Sequence, residues 1–291
     1  MLTRTHKRFV LTALALTTLS VYLFVTAPQP LTDKRQETAS IPVEAALAIL
    51  NAENAAVRQL YTKEIVGAGK QAGLKFDEHW RDKDVIAGPL PAQFLRETAA
   101  GIEKHRIRLG LYLGSDFAIN KANQFTGKQL EMFRRMREDR TPRFFYVDDA
   151  QVYAYMFPDI AIAEPCVKCH NDHKDTPKTD WKLDDVMGAT TWVFDRKTIT
   201  LEQLVGMINI LRASVRESYE LVLKKQSQLP NPPHIGAQWP REGLFLPSAD
   251  EFMAEVERRA THDTFAAMAR FVKSAFPDAT RQPEPEKERH V

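Results

Sequence analysis

The only two cysteines in the chain, Cys166 and Cys169, stand three positions apart, and His170 follows the second at once. Any fold that holds them must bring two thiols and an imidazole together within one turn of backbone. Two cysteines build no disulfide framework, and this spacing commits them to each other. Cys-x-x-Cys-His has a specific chemical logic. The thiols reach the two vinyl groups on one edge of a haem and form thioethers, and the adjacent histidine is aimed at the iron as an axial ligand. Three other readings compete for the same residues. A thioredoxin-like pair needs a βαβ context, which the flanking sequence lacks. A structural zinc site would use Cys166, Cys169, His170 and His173, although most such sites recruit a second, distant ligand pair. A plain disulfide leaves His170 unexplained. The expected cofactor is one covalent haem c on Cys166 and Cys169, with His170 as proximal iron ligand.

The N-terminus supplies a compartment that suits this chemistry. Arg4, Lys7 and Arg8 precede an uncharged run over residues 9–27, FVLTALALTTLSVYLFVTA. As a helix the run is roughly 28 Å long, about the thickness of a bilayer core. It is either an uncleaved signal-anchor or a signal peptide cut after Val25-Thr26-Ala27, and its length favours the anchor. In both cases the basic flank stays inside and Pro28 onward lies outside the cytoplasm. The expected localisation is the inner membrane, single-pass, with the bulk of the chain in the periplasm; the alternative is release to the periplasm after cleavage. Isolated thiols there would otherwise be oxidised, so the export segment and the pentapeptide support each other.

Composition is that of ordinary globular material, 44% apolar and 27% charged. With 40 Lys and Arg against 38 Asp and Glu, there is no clustered basic excess of the kind that tracks phosphates, and no nucleic-acid partner is expected. The expected order is a cytoplasmic basic region (1–8), the transmembrane helix (9–27), a linker (28–42), a main domain (43–197), a helical extension (198–276) and a charged, disordered tail (277–291). Apolar spacing predicts a helix over 43–80, kinked near Gly67, Gly69 and Gly73. Further helices are expected over 91–104 and 126–138, and strands over 107–113, 143–147, 151–157 and 189–194. This is an α+β pattern, an antiparallel sheet with flanking helices. Beyond residue 195, helical spacing runs to Gln226 and is stopped by Pro230-Asn231-Pro232-Pro233. Ser248 with Glu251 reads as a capping box opening a last helix that buries Phe252, Val256, Phe265, Met268 and Val272. No internal repeat is evident.

The run CVKCHNDHKDTPKTDWKLDDVMGATTWVF resembles the c-type haem family of PAS-like extracytoplasmic domains, also filed as a domain of unknown function. Thr176 to Lys182 match its Thr-Pro-Lys-Thr-Asp-Trp-Lys segment, Asp185 to Gly188 its Asp-Val-x-Gly turn, and residues 189–194 its final strand. Upstream, PLPAQFLRE (89–97) is similar to the family's Pro-Ala-x-Phe-Leu-Arg helix, and Asn120 and Asn123 to its Asn-x-x-Asn element. The resemblance covers about half the chain. It implies a PAS-like sheet holding one haem c through His170, with any sixth ligand coming from the N-terminal helical region as Met or Cys. This chain has neither there, which leaves His79 as the candidate distal ligand, ahead of Met156 and His105. His79 also reads as an exposed histidine at a charged helix end, and Met156 as strand core. Lys178 and Trp181 are expected haem contacts, Lys178 through a propionate and Trp181 through the porphyrin. Their alternative roles, and that of Asp180, are core and turn.

Two functions follow as expectations. One is a membrane-anchored haem-based sensor of redox state or of a small diatomic ligand, passing its signal to a separate membrane signalling or redox partner. The other is a monohaem cytochrome relaying electrons. No catalytic residue is expected: the sequence has no Ser/His/Asp constellation, Gly-rich phosphate loop or HExxH.

Overall fold

The stretch VMGATTWVF carries no charged residue and is largely apolar, which suits a strand inside a sheet covered on both sides. The computed structural model, which describes residues 40–162 and 164–275, places it there. The expected membrane segment at 9–27 and the tail at 277–291 lie outside the described residues, among which no helix is long and apolar enough to cross a membrane. Strand β7 (Val186–Phe194) pairs antiparallel with β4 (Gly110–Gly114) and β6 (Val152–Ile160), and β6 with β5 (Arg143–Val147), giving the order β4-β7-β6-β5. The first strand begins at Gly110 rather than at the expected 107, and the last at Val186 rather than 189. On one face, Met132, Phe133 and Met136 of α4 (Gly127–Asp139) pack on Ala154, Met156 and Ala189. Met156 is fully buried there, as core. On the other face lies α1 (Val43–Leu60), fixed to the sheet by polar ties. Arg58 pairs with Asp159 and donates to Thr190 Oγ1 at 2.8 Å, and the Trp192 indole donates to Asn51 Oδ1 at 3.3 Å. The class is α+β, as expected.

The first helix departs from expectation at its middle and its end. α1 runs without a break into a π-helical segment (Tyr61–Gly67) and α2 (Ala68–Ala72). The irregularity expected near the glycines is thus an inserted residue in the helical ladder, not a break. The helix stops at Ala72, well before residue 80, because Gly73 takes a left-handed conformation at φ 103° and Leu74 closes back on the Gly69 carbonyl at 2.8 Å. A parallel clip of β2 (Phe76–Asp77) and β3 (Gly88–Pro89) follows. Pro91 then starts α3 (Pro91–Glu103), where its fixed φ suits the first helical position.

The second half of the chain repeats this plan. α6 (Leu201–Gln226) opens on a reciprocal capping box between Thr200 and Gln203. A parallel clip of β9 (His234–Gly236) and β10 (Phe245–Pro247) follows, then α7 (Ala249–Ala275), with Ser248 Oγ accepting from the Glu251 amide. Corresponding residues lie 158 positions apart: Val43 and Leu201 open α1 and α6, and Pro91 and Ala249 open α3 and α7. Tyr61 donates to the Pro89 carbonyl at 2.7 Å and Tyr219 to the Pro247 carbonyl at 2.9 Å, each 28 residues along the chain. Tyr61 stacks on Phe94 (3.9 Å) and Tyr219 on Phe252 (4.0 Å), while Phe94 and Phe252 meet edge-on at 6.4 Å. Ile41 of β1 (Ile41–Pro42) pairs with its own mate Ile199 of β8 (Thr198–Ile199). α1 packs on α7, and α6 packs on α3 in the corresponding way. The chain therefore contains an internal repeat, contrary to expectation, folded about a pseudo-twofold axis with the sheet inserted between its halves. It escapes notice in the sequence because the surviving identities, among them Asn51/Asn209, Arg58/Arg216, Tyr61/Tyr219 and Phe94/Phe252, are few and scattered.

The helices beyond residue 198 share one apolar core with α1, α3 and the inner face of the sheet. One expected core residue is not in it. Phe252, Val256 and Ala260 face inward, whereas Phe265, roughly 140° round the helix from Ala260, is 70% exposed.

Phe94→Ala and Phe252→Ala should each cost about 3–5 kcal/mol in urea unfolding. The double variant should cost less than the sum because the rings touch. Glu255 is held at about 2, below its ordinary 4.5, first by the hydrogen bond from Arg258 and also by Arg259. A carboxylate depressed in the folded state adds stability above its unfolded pKa and loses it as pH falls through the folded value. Thermal melting across that acidic interval should therefore show a shallower decline for Glu255→Gln than for the parent.

Candidate functional site

Cys166, Cys169 and His170 lie on α5 (Glu164–Asp172), which connects β6 to β7. Positions i, i+3 and i+4 share one face of a helix, so helical geometry alone aims both thiols and the imidazole the same way. Both cysteines are free, Cys166 half-buried and Cys169 exposed. Cys166 and Val167 pack against a small apolar cluster of Ala161, Trp181 and Met187, with Phe117 at its edge. Phe117 and Trp181 meet edge-on at 6.1 Å. Trp181 is 4% exposed and its Nε1–H has no acceptor. A buried donor without a partner is costly, and here it sits in the cluster that receives Cys166.

Asn171, next to the motif, locks this arrangement. Its side-chain amide donates to the Trp181 carbonyl at 3.0 Å and accepts from the Trp181 amide at 2.9 Å. The segment after the helix is thereby folded back on it. Thr176 Oγ1 donates to the Lys178 carbonyl at 2.8 Å, and the Lys182 amide donates to Asp185 at 2.8 Å. Gly188 admits the strand beyond, since a Cβ there would lie 2.7 Å from the Gly114 carbonyl oxygen. The signal for Asn171 was in the sequence, directly after His170, but only the fold shows what it holds.

Burial favours the neutral forms of His170 and Cys169. Burial lowers the His170 pKa, and His173 lowers it further, leaving an unprotonated nitrogen available as a ligand. Although Cys169 is exposed at the surface, partial desolvation of its sulfur raises its pKa; Lys70 opposes the rise and Glu78 adds to it. Lys178 pairs with Asp180 and lies 4.7 Å from the Trp181 ring centroid, as a cation over an aromatic face. Asp180 is accordingly held below its usual range by that ammonium.

The turn after β2 comes to the same place. Glu78 accepts from His173 Nε2 at 3.0 Å and approaches His79 Nε2 at 3.4 Å. His79 is on this turn and not on a helix end, and its side chain is 61% exposed. His173 uses both ring nitrogens, Nδ1 accepting from the Asp175 amide at 3.1 Å. That leaves it no lone pair for a metal. Among the described residues no group of three or more His, Cys, Asp and Glu is gathered as a metal site. His105 is exposed just past α3, and Asn120 caps a short 3-10 turn through the Ala122 amide. The arrangement offers two alkylatable sulfurs, one neutral imidazole and an unpaired indole N–H along an apolar wall.

A family model for Tll0287-like domains matches residues 33–194, more than half of the chain. The chain belongs to the Tll0287-like family. The match takes in the first repeat, the sheet and α5, and stops before α6, so the second repeat lies outside the Tll0287-like domain. No curated protein and no solved structure matches the chain.

Asn171→Ala should leave the fold intact but free the 173–182 segment. We expect a loss of about 1–3 kcal/mol and faster limited proteolysis after Lys174 or Lys178, with cleavage elsewhere unchanged.

Proposed function

We propose that this Tll0287-like protein is a membrane-anchored periplasmic haem c protein with a PAS-like domain, responding to redox state or to a small diatomic ligand. The observation that carries the reading is the common helical face of Cys166, Cys169 and His170, both thiols free, set against the cluster of Trp181. The residues present fit the group. Cys166 and Cys169 would hold it through thioethers, and His170 through its neutral nitrogen. The unpaired indole N–H of Trp181 suits an anionic substituent such as a propionate. Lys178, already paired with Asp180, contributes to that wall through its position over Trp181. When bound, haem would supply a redox-active iron able to take a further ligand. His79, exposed and beside Glu78, which holds His173 just past the motif, would be the candidate for that ligand. The antiparallel sheet with α4 on one side and α1 on the other supports the PAS-like assignment.

The chain's own residues do the coupling. Asn171 ties α5 to the segment around Trp181, and Glu78 ties His173, just past α5, to the turn after β2. A shift of α5 is therefore felt by both, which is the requirement for a two-state element biased at one site. The output would pass to a separate membrane signalling or redox partner. The second reading, a monohaem cytochrome relaying electrons, is favoured by the exposure of Cys169, which brings one edge of the site to the surface. We assign no catalytic residue.

Replacing Cys166 and Cys169 by Ala should abolish haem staining on a denaturing gel; retained staining refutes the site. The ferrous spectrum with and without CO separates the two functions. Rapid CO binding is expected for the sensor, and a spectrum indifferent to CO for the electron carrier. If His79 is the sixth ligand, His79→Ala should convert a six-coordinate spectrum into a five-coordinate one.

A further inference from the structure

The pseudo-twofold repeat leaves one of its faces uncovered. Val43 and Leu47 of α1 are fully buried, while their mates on α6, Leu201 and Val205, are 58% and 49% exposed. Two differences account for this. The polar ties to the sheet are made by α1, and the helix beside α1 is longer than the one beside α6. The Thr264–Glu53 hydrogen bond and the Arg259–Glu64 ion pair set α7 antiparallel to α1, so its last turns run toward Val43. α3, in the matching place beside α6, stops at Glu103. Phe265 lies about two turns past Glu257, which pairs with Arg212, and is thus level with the stretch around Val205.

The chain enters at this same end. β1 and β8 pair directly ahead of Leu201, and residues 28–39 join Ser40 to the uncharged run at 9–27. Fully extended, that linker reaches about 40 Å. Arg196 and Lys197, both exposed, stand beside the entry point. The Cys166–His170 helix is at the far end: the Cys169 thiol feels Lys70, which is roughly 40 Å from Val43 along the helix at 1.5 Å per residue.

We infer that this end of the bundle rests on the lipid surface, with Leu201, Val205 and Phe265 entering the headgroup boundary and Arg196 and Lys197 meeting anionic headgroups. The inference rests on the membrane-anchored reading above. It names the surface that meets lipid and gives the Cys166–His170 helix a fixed stand-off from the membrane.

The test uses the full haem-loaded chain reconstituted into mixed phosphatidylcholine and phosphatidylglycerol vesicles. A photoreactive benzoylphenylalanine is placed at Val205, at Phe265 or, as control, at Leu221, which is exposed on the same helix toward its other end. Irradiation should give several-fold more lipid adduct from positions 205 and 265 than from 221. Arg196→Glu with Lys197→Glu should reduce that excess. A crosslinked dimer in place of lipid adduct assigns the face to a second copy of the chain and overturns the proposal. A chain that resists alkaline extraction yet gives equal adduct at all three positions overturns it while leaving the anchor standing. A chain released by alkaline extraction fells the anchor and the proposal together, with haem staining reporting separately on the cofactor.

Discussion

The contact on which the rest of the fold depends is the row Tyr61, Phe94, Phe252, Tyr219 at the centre of the helices. Each ring comes from a different segment: the π turn after α1, α3, α7 and α6. Burial of each is worth about 1.5–3 kcal/mol, but area is only part of its effect. Each tyrosine hydroxyl also donates to the carbonyl of the proline that ends a two-stranded clip. Those bonds satisfy two buried phenols and fix where the following helix begins. Burial pushes the pKa of both phenols up, so they remain donors throughout the ordinary pH range. The π insertion beginning at Tyr61 shifts the helical phase just where that ring must meet Phe94. It has no counterpart in α6, so the repeat is symmetric in contacts but not in every backbone turn.

How much of this could be read in advance follows from the range of the forces involved. Helix starts were legible at Pro91 and Ser248 because such signals are local and act within a turn, whereas the Thr200–Gln203 capping box went unread. The four strands of the main sheet were legible because alternation and apolar runs have short periods, and their errors are confined to the ends; the two- and three-residue strands of β1, β8 and the clips, which exist only through pairing with distant segments, were not. The end of the first helix was misread because Gly73, one of three nearby glycines, terminates it through a left-handed turn that composition does not distinguish. Phe265 was misread because helical periodicity permits a ring at that angle without saying what lies opposite. The repeat was missed because its identical pairs, such as Asn51/Asn209, Arg58/Arg216 and Tyr61/Tyr219, are few and scattered among diverged positions. At the candidate site, the motif was legible as chemistry, while the roles of Asn171 and Glu78 depend on segments that meet only in the folded chain.

The site itself is a product of broken symmetry. The two repeats offer equivalent clips at one end of the bundle, but the sheet is inserted after the first and is tied to α1 through Arg58 and Asn51. The β6–β7 connection carrying α5 is consequently brought to the first clip, where Glu78 meets His173. The corresponding position in the second clip is Gly236, which has no side chain to answer it. A helix bearing Cys166, Cys169 and His170 thus has one docking place and not two.

The same asymmetry acts at the opposite end. Adding a sheet and a longer helix to one half buries Val43 and Leu47 and leaves Leu201 and Val205 exposed, although selection on a soluble repeat would favour polar residues there. Apolar side chains kept at an open position next to the point of chain entry are explained if a further apolar phase lies against them. On that account the two ends of the bundle divide the work. One is shaped by what the Cys-x-x-Cys-His helix binds, the other by where the chain is held, and the rigid helices between them set the distance.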